Sequence, residues 1–140
     1  MASEEQISVG FFADFHDPTM LFWGSSDALR RFAGFLRNAG RQGRVRAILN
    51  EENGINPIRG IRIRLEISVR ASGMLRASGA AAPDFTWCIT ATQADKFADL
   101  VESLAKSQKP GHHYLDCEAR DDIVVVVSMG EYDDLDTAAN

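Results

Sequence analysis

Two stretches of this chain, 65 residues apart, carry the same pattern, and that recurrence restricts the fold more than any other feature. The first is Met20-Leu21-Phe22-Trp23, a joint Gly24-Ser25-Ser26, then Asp27 to Ala39. The second is Phe85-Thr86-Trp87-Cys88-Ile89, a joint Thr90-Ala91-Thr92, then Gln93 to Lys106. Leu29, Phe32, Ala33, Leu36 and Ala39 fall on Ala94, Phe97, Ala98, Val101 and Leu104. Positions i, i+3, i+4, i+7 and i+10 make one apolar stripe along a helix. Each unit therefore reads as an aromatic strand feeding an amphipathic helix, with Phe32 and Phe97 at equivalent buried sites. Ser26 is the expected N-cap of the first helix, with Asp27 beside the positive end of its dipole. Thr90-Ala91-Thr92-Gln93 and Thr92-Gln93-Ala94-Asp95 both fit a capping box for the second. Gly40 is expected to end the first helix and Lys109-Pro110-Gly111 the second.

Each helix is followed by two strand-like segments. In the first half these are Arg44–Asn50 and Ile58–Arg70, joined by a loop over 51–57 with Asn-Gly and Asn-Pro turn signals. Ile61, Ile63, Leu65, Ile67 and Val69 alternate with Arg62, Arg64, Glu66, Ser68 and Arg70, so one face is buried and the other wet and basic. In the second half they are His112–Glu118 and Ile123–Met129, with Asp121-Asp122 as the turn. The β-branched run Ile123-Val124-Val125-Val126-Val127 suits a central strand covered on both faces. Ile7–Phe15 adds a further strand. Residues 71–84, rich in Gly, Ala and Ser, join the halves and hold a short strand at Met74–Ala77. The predicted class is α+β: two β-α-β-β repeats forming a mostly antiparallel sheet with both helices on one face. One domain spans 1–140, its pseudo-repeats covering about 7–70 and 74–130, with an acidic frayed tail at 131–140.

Composition adds limits. With 140 residues, 45% hydrophobic and 25% charged, the chain is expected to form a buried core rather than stay disordered. No apolar run is long enough to span a membrane, and the opening Met-Ala-Ser-Glu-Glu-Gln lacks a signal pattern. A cytoplasmic location is expected, with Cys88 and Cys117 as free thiols. The net charge of −5 is unevenly spread. Residues 30–76 hold eleven Arg against three Glu, a surplus of eight positive charges; residues 77–140 hold twelve acids against four cations, a surplus of eight negative ones.

Chemistry-bearing residues cluster at Gly111-His112-His113-Tyr114-Leu115-Asp116. On a strand, His112, Tyr114 and Asp116 share one face, while His113 points inward with Leu115 and Cys117. A small-molecule or metal site would draw on His112, His113 and Asp116, with His16 or Asp14 brought in by the fold. Adjacent histidines on opposite faces do not converge on one ion, so neither metal nor cofactor is expected. Cys88 sits in an apolar strand, and Cys117 lies between Asp116 and Glu118, which disfavours a thiolate. Arg62, Arg64 and Arg70, with Arg44 and Arg46 on a neighbouring strand, make the argument for nucleic acid. The row lacks interleaved aromatic residues and the pI is about 5.1, so nucleic acid is disfavoured as a partner.

From Thr86 to Met129, the hydrophobic strand, hydroxyl-bearing joint, Ala-containing helix, Gly-His-His-Tyr-Leu-Asp strand and apolar final strand resemble small bacterial immunity proteins of polymorphic toxin systems. Tyr114 stands at the place of a second histidine in that pattern. The resemblance implies a cytoplasmic inhibitor that binds one toxin protein and catalyses nothing. It would use acidic residues against a basic cleft: Asp116, Glu118, Asp121, Asp122, Glu131, Asp133 and Asp134. The expected function is thus non-enzymatic protein binding through His112, Tyr114 and these acids, or through Arg62, Arg64 and Arg70, self-association included. The alternatives are a small-molecule or metal-binding domain, an enzyme among the options, on the His112-His113-Asp116 strand, and a nucleic-acid binder on the Arg62, Arg64 and Arg70 face. The strand pattern yields one prediction directly. The melting temperature, followed by circular dichroism, should be the same with and without a chelator, whereas a metal that held the fold would shift it by mass action.

Overall fold

The computed structural model describes residues 6–13, 17–43, 46–77, 83–115 and 123–131, which form nine strands and two α-helices. Helix α1 (Ser26–Gln42) starts one residue earlier than its sequence suggests: Ser25 is the N-cap, and its hydroxyl accepts the Ala28 amide at 3.2 Å. Helix α2 (Ala91–Ser107) opens on the Thr90–Gln93 capping box, with both reciprocal bonds present at 3.0 and 3.1 Å. Gly40 does not end α1. The helix continues to Gln42 and stops at Gly43, whose φ of 74° suits a residue without Cβ. Gly40 instead permits a close helix crossing, since a Cβ there would meet the Ala91 carbonyl oxygen and Ala94 Cβ at 3.1 Å.

The strands are β1 (Ile7–Phe12), β2 (Thr19–Trp23), β3 (Arg46–Ile48), β4 (Ile55–Pro57), β5 (Arg62–Ile67), β6 (Gly73–Arg76), β7 (Asp84–Ile89), β8 (Gly111–Tyr114) and β9 (Val124–Met129). The class is α+β, as read from sequence. The single sheet is not, although four of the seven strand pairings among the described residues are antiparallel. Two mixed sheets form instead, in orders β4-β1-β2-β9-β8 and β3-β5-β7-β6. Their central pairs, β2 with β9 and β5 with β7, are parallel. Coverage gives the physical reason. Nine strands at a spacing of ~4.8 Å would make a sheet about 40 Å wide. Two helices ~10 Å apart would leave much of it bare. As two sheets, the inner faces cover each other and the helices seal what remains.

Several segments differ in extent from the sequence reading. Residues 55–57, expected in a loop, pair with β1 in parallel. Asn50 lies in a 3-10 turn, Leu49–Glu51, and its side-chain amide bonds Ile61 O at 2.7 Å and Ile63 N at 3.0 Å, prolonging the β3 ladder without a strand. The strand expected to run from Ile58 to Arg70 is shorter, because β5 ends where its partner β7 gives way to the Thr90 cap. Val69, expected in the buried row, is therefore 83% exposed, and Arg70 lies beyond the sheet. Asp14, His16, Arg44, Asp116, Cys117, Glu118, Asp121, Asp122, Asp133 and Asp134 lie outside the described residues, as does the tail from 132 on.

The strands around each helix belong to different sheets. β1 and β2 precede α1 in the five-stranded sheet, and β3 and β5 follow it in the four-stranded one; around α2 the assignment is reversed. Registers correspond. Ser8 faces Trp23 and Gly73 faces Cys88, each residue displaced by 65. Phe22 and Trp87, also 65 apart, meet at the seam between the sheets with ring centroids at 5.5 Å. Phe32 stacks on Phe22 at 4.8 Å and Phe97 on Trp87 at 6.0 Å, so four rings run from helix to helix through both sheets. All four residues are at most 2% exposed, and both helix stripes are buried in the same core. Phe97→Ala should therefore cost about 3–5 kcal/mol in denaturant unfolding. Trp87→Phe should cost less, because it keeps an aromatic ring in the row and removes a buried indole N–H that has no acceptor among the described residues.

Candidate functional site

Strand β8 forms one edge of the five-stranded sheet, and its pairing with β9 sets the direction of every side chain on it. His112 stands opposite Ser128 and Tyr114 opposite Val126, both on the outer face; His113 stands opposite Val127, on the core side, and is half-buried. The two histidines thus point to opposite faces, as the sequence required. After β9, Gly130 turns with φ 75° and brings Glu131 back beside β8. The Glu131 carboxylate lies 3.0 and 3.3 Å from His112 Nδ1 and accepts the Ser128 hydroxyl at 2.8 Å. The contact between Nδ1 and the carboxylate fixes the orientation of the imidazole ring. Tyr114 packs edge-on against His112 with centroids at 5.6 Å and remains 59% exposed. Serine and histidine both bond the same carboxylate here, so the imidazole is not aligned to take the serine proton.

Arg62 and Arg64 occupy a different surface, the outer face of the four-stranded sheet. Ile61, Ile63, Leu65 and Ile67 are buried beneath them, as their alternation predicts. Across the sheet, Arg62 stands opposite Asp84, Arg64 opposite Thr86 and Ile48, and Glu66 opposite Arg46. Acids thus interrupt the arginine row. Arg70 is not part of this face. Cys88 is half-buried on it, with Sγ 3.5 Å from the Arg70 carbonyl oxygen. His112 and Tyr114 on one sheet and Arg62 and Arg64 on the other therefore form two separate groups.

Other charges have structural partners. Arg37 of α1 reaches across to α2, bonding Asp99 at 2.7 Å and Glu102 at 3.1 Å, with Asp95 at 3.9 Å. Hydrogen bonds to Asp99 and Glu102, backed by their charge, hold its guanidinium above its ordinary value despite the opposing effect of burial. Arg76 closes one end of the inter-sheet seam, 5.4 Å above the Phe11 ring and 5.8 Å from Phe85. A groove between α1 and the start of β4 is floored by Phe32, Phe35 and Ile55, with Arg31 and Glu52 among its lining residues. Among the described residues, no three His, Cys, Asp or Glu side chains converge on a metal-sized point.

Glu131 is the residue whose position sequence reading missed. It was one acid among several, and only the Gly130 turn brings it to His112. Comparison with family models, with curated proteins and with solved structures finds no match to this chain. Two mutational outcomes follow from the charge geometry. Arg64→Ser should change unfolding stability by less than about 0.5 kcal/mol, because Arg64 stands half-buried on the outer face of the sheet, away from the core. Arg37→Met should cost about 1 kcal/mol at low ionic strength and less in high salt, because it removes the charge contacts that tie α1 to α2.

Proposed function

We propose that this chain is a non-catalytic protein-binding domain, of the immunity-inhibitor kind that residues Thr86 to Met129 resemble, acting in the cytoplasm on a basic protein partner. The observation that carries the reading is the exposure of Tyr114, at 59%, on an edge strand beside His112 and Glu131. Large aromatic side chains with a polar end are among the residues that most often dominate protein interfaces. The negative surplus of residues 77–140 favours a basic surface on the partner. The alternation of Arg62 and Arg64 with Glu66 and Asp84 argues against a phosphate track on the other sheet. The equal offsets in strand register favour reading the two halves as copies of one ββαββ unit, of which only the second carries this edge chemistry.

The test is site-specific photocrosslinking in the cells that make the protein. A crosslinking residue at position 114 should give an adduct with one protein, whereas the same residue at position 30, on the exposed side of α1, should not. The purified partner should bind the wild-type chain with salt-sensitive affinity. Tyr114→Ala should weaken that affinity by at least about tenfold with no change in melting temperature. Identical adducts from both positions, or undiminished binding by Tyr114→Ala, would refute the reading.

A further inference from the structure

We infer that the partner adds to the protein as an extra β-strand along β8, through an extended segment in which basic and apolar residues alternate. This inference rests on the protein-binding reading above and specifies its chemistry. The main-chain argument comes first. Leu115 N donates to Val125 O at 2.9 Å, so Leu115 and, two residues back, His113 direct their main-chain groups toward β9. His112 and Tyr114 then direct their N–H and C=O groups the other way, to the free side of the strand. Both residues are exposed, and among the described residues no strand pairs with β8 on that side. Such an unpaired row is a template for another chain's backbone.

The opposite edge of the same sheet indicates how little strand is needed. There, three residues of β4 pair with β1 in parallel, with Ile7 N bonding Gly54 O and Ile58 N bonding Val9 O, each at 2.9 Å. That short strand comes from within the chain; beyond β8, at the other end of the sheet, no strand is added among the described residues.

Side chains select the occupant. An added strand would alternate between two environments. On the outer face its side chains would lie next to His112 and Tyr114, within reach of the Glu131 carboxylate and the Tyr114 ring, which both favour Lys or Arg. On the core side they would lie next to half-buried His113 and fully buried Leu115, which favours apolar residues. The negative surplus of residues 77–140 attracts the same basic segment from a distance. A second copy of this chain is the poorer occupant, because pairing two β8 edges would bring like charges together.

The probe is a short synthetic peptide alternating Arg or Lys with Val. Its controls are a Glu-for-basic version and a version N-methylated on alternate residues. Amide hydrogen exchange by NMR gives the readout. In the free protein, His112 and Tyr114 amides should exchange quickly while His113 and Leu115 are protected. The basic peptide should slow exchange at His112 and Tyr114 by at least about tenfold, the acidic peptide should not, and N-methylation should abolish the effect. Tyr114→Pro should lose peptide binding without loss of stability, because it removes an outward N–H and no internal bond. If that variant fails to fold, the N-methylated peptide still decides. Equal protection by the acidic peptide would overturn the inference, and so would protection that rises with protein concentration alone. A photocrosslinked partner that binds through position 114 while His112 and Tyr114 exchange as before would leave the docking reading standing and remove strand addition.

Discussion

Contact between Phe22 and Trp87 holds the two sheets in one body, and the rest of the architecture depends on it. The main core belongs to both sheets together. The inner faces of both, together with the stripes of α1 and α2, line a single cluster. Phe32 and Phe97 extend the row into the helices, so a displacement at the seam would be felt at both helix–sheet contacts. Large stacked rings suit this place. They bury much surface in few residues and tolerate the offset geometry that two twisted sheets impose. Arg37 meets Glu102 on the helix side of the same arrangement, again 65 residues apart, but with opposite charges where the sheets use two aromatic rings.

The outer faces of the two sheets differ although their registers correspond. Phe12, Leu21, Trp23, Ile58 and Val126 form a second apolar cluster on the five-stranded sheet, with Arg59 lying 5.4 Å over the Phe12 ring. Corresponding positions on the four-stranded sheet carry Arg62, Arg64, Thr86 and Cys88. The strand pairing repeats while the chemistry does not. The edge strands diverge likewise: Arg46 faces Glu66 on β3, whereas His112 faces Ser128 and bonds Glu131 beyond β8.

Helix content was legible because the stripe from Leu29 to Ala39 and its counterpart from Ala94 to Leu104 are set by local periodicity. Alternation in Ile61 to Ile67 was legible for the same reason. The number of sheets was not, since hydrophobic alternation says which face is buried but not what covers it. Val69 continued the alternation in sequence yet lay past the end of its partner strand. Gly40 looked like a helix stop because its use, a close approach to Ala91 and Ala94, involves residues half the chain away. At the candidate site, His112 and Tyr114 could be placed on one face from period two alone. Their union with Glu131 depended on a turn at Gly130, and Arg70 left the arginine group when the strand ended early.

The placement of hairpins on opposite sides of each helix has a kinetic consequence. While the first half emerges from the ribosome, β2 lacks β9 and β5 lacks β7, so neither sheet has its central parallel pair. The first of these pairs joins residues 105 positions apart, Thr19 with Val124, and contacts so distant in sequence form slowly. The nascent first half must therefore wait with open strand edges, exposed to aggregation, until α2 and β9 are made. The Gly-, Ala- and Ser-rich stretch at 71–84 joins two parts that can close only together. A truncation anywhere before Val124 would therefore release an unfinished fold rather than a smaller domain.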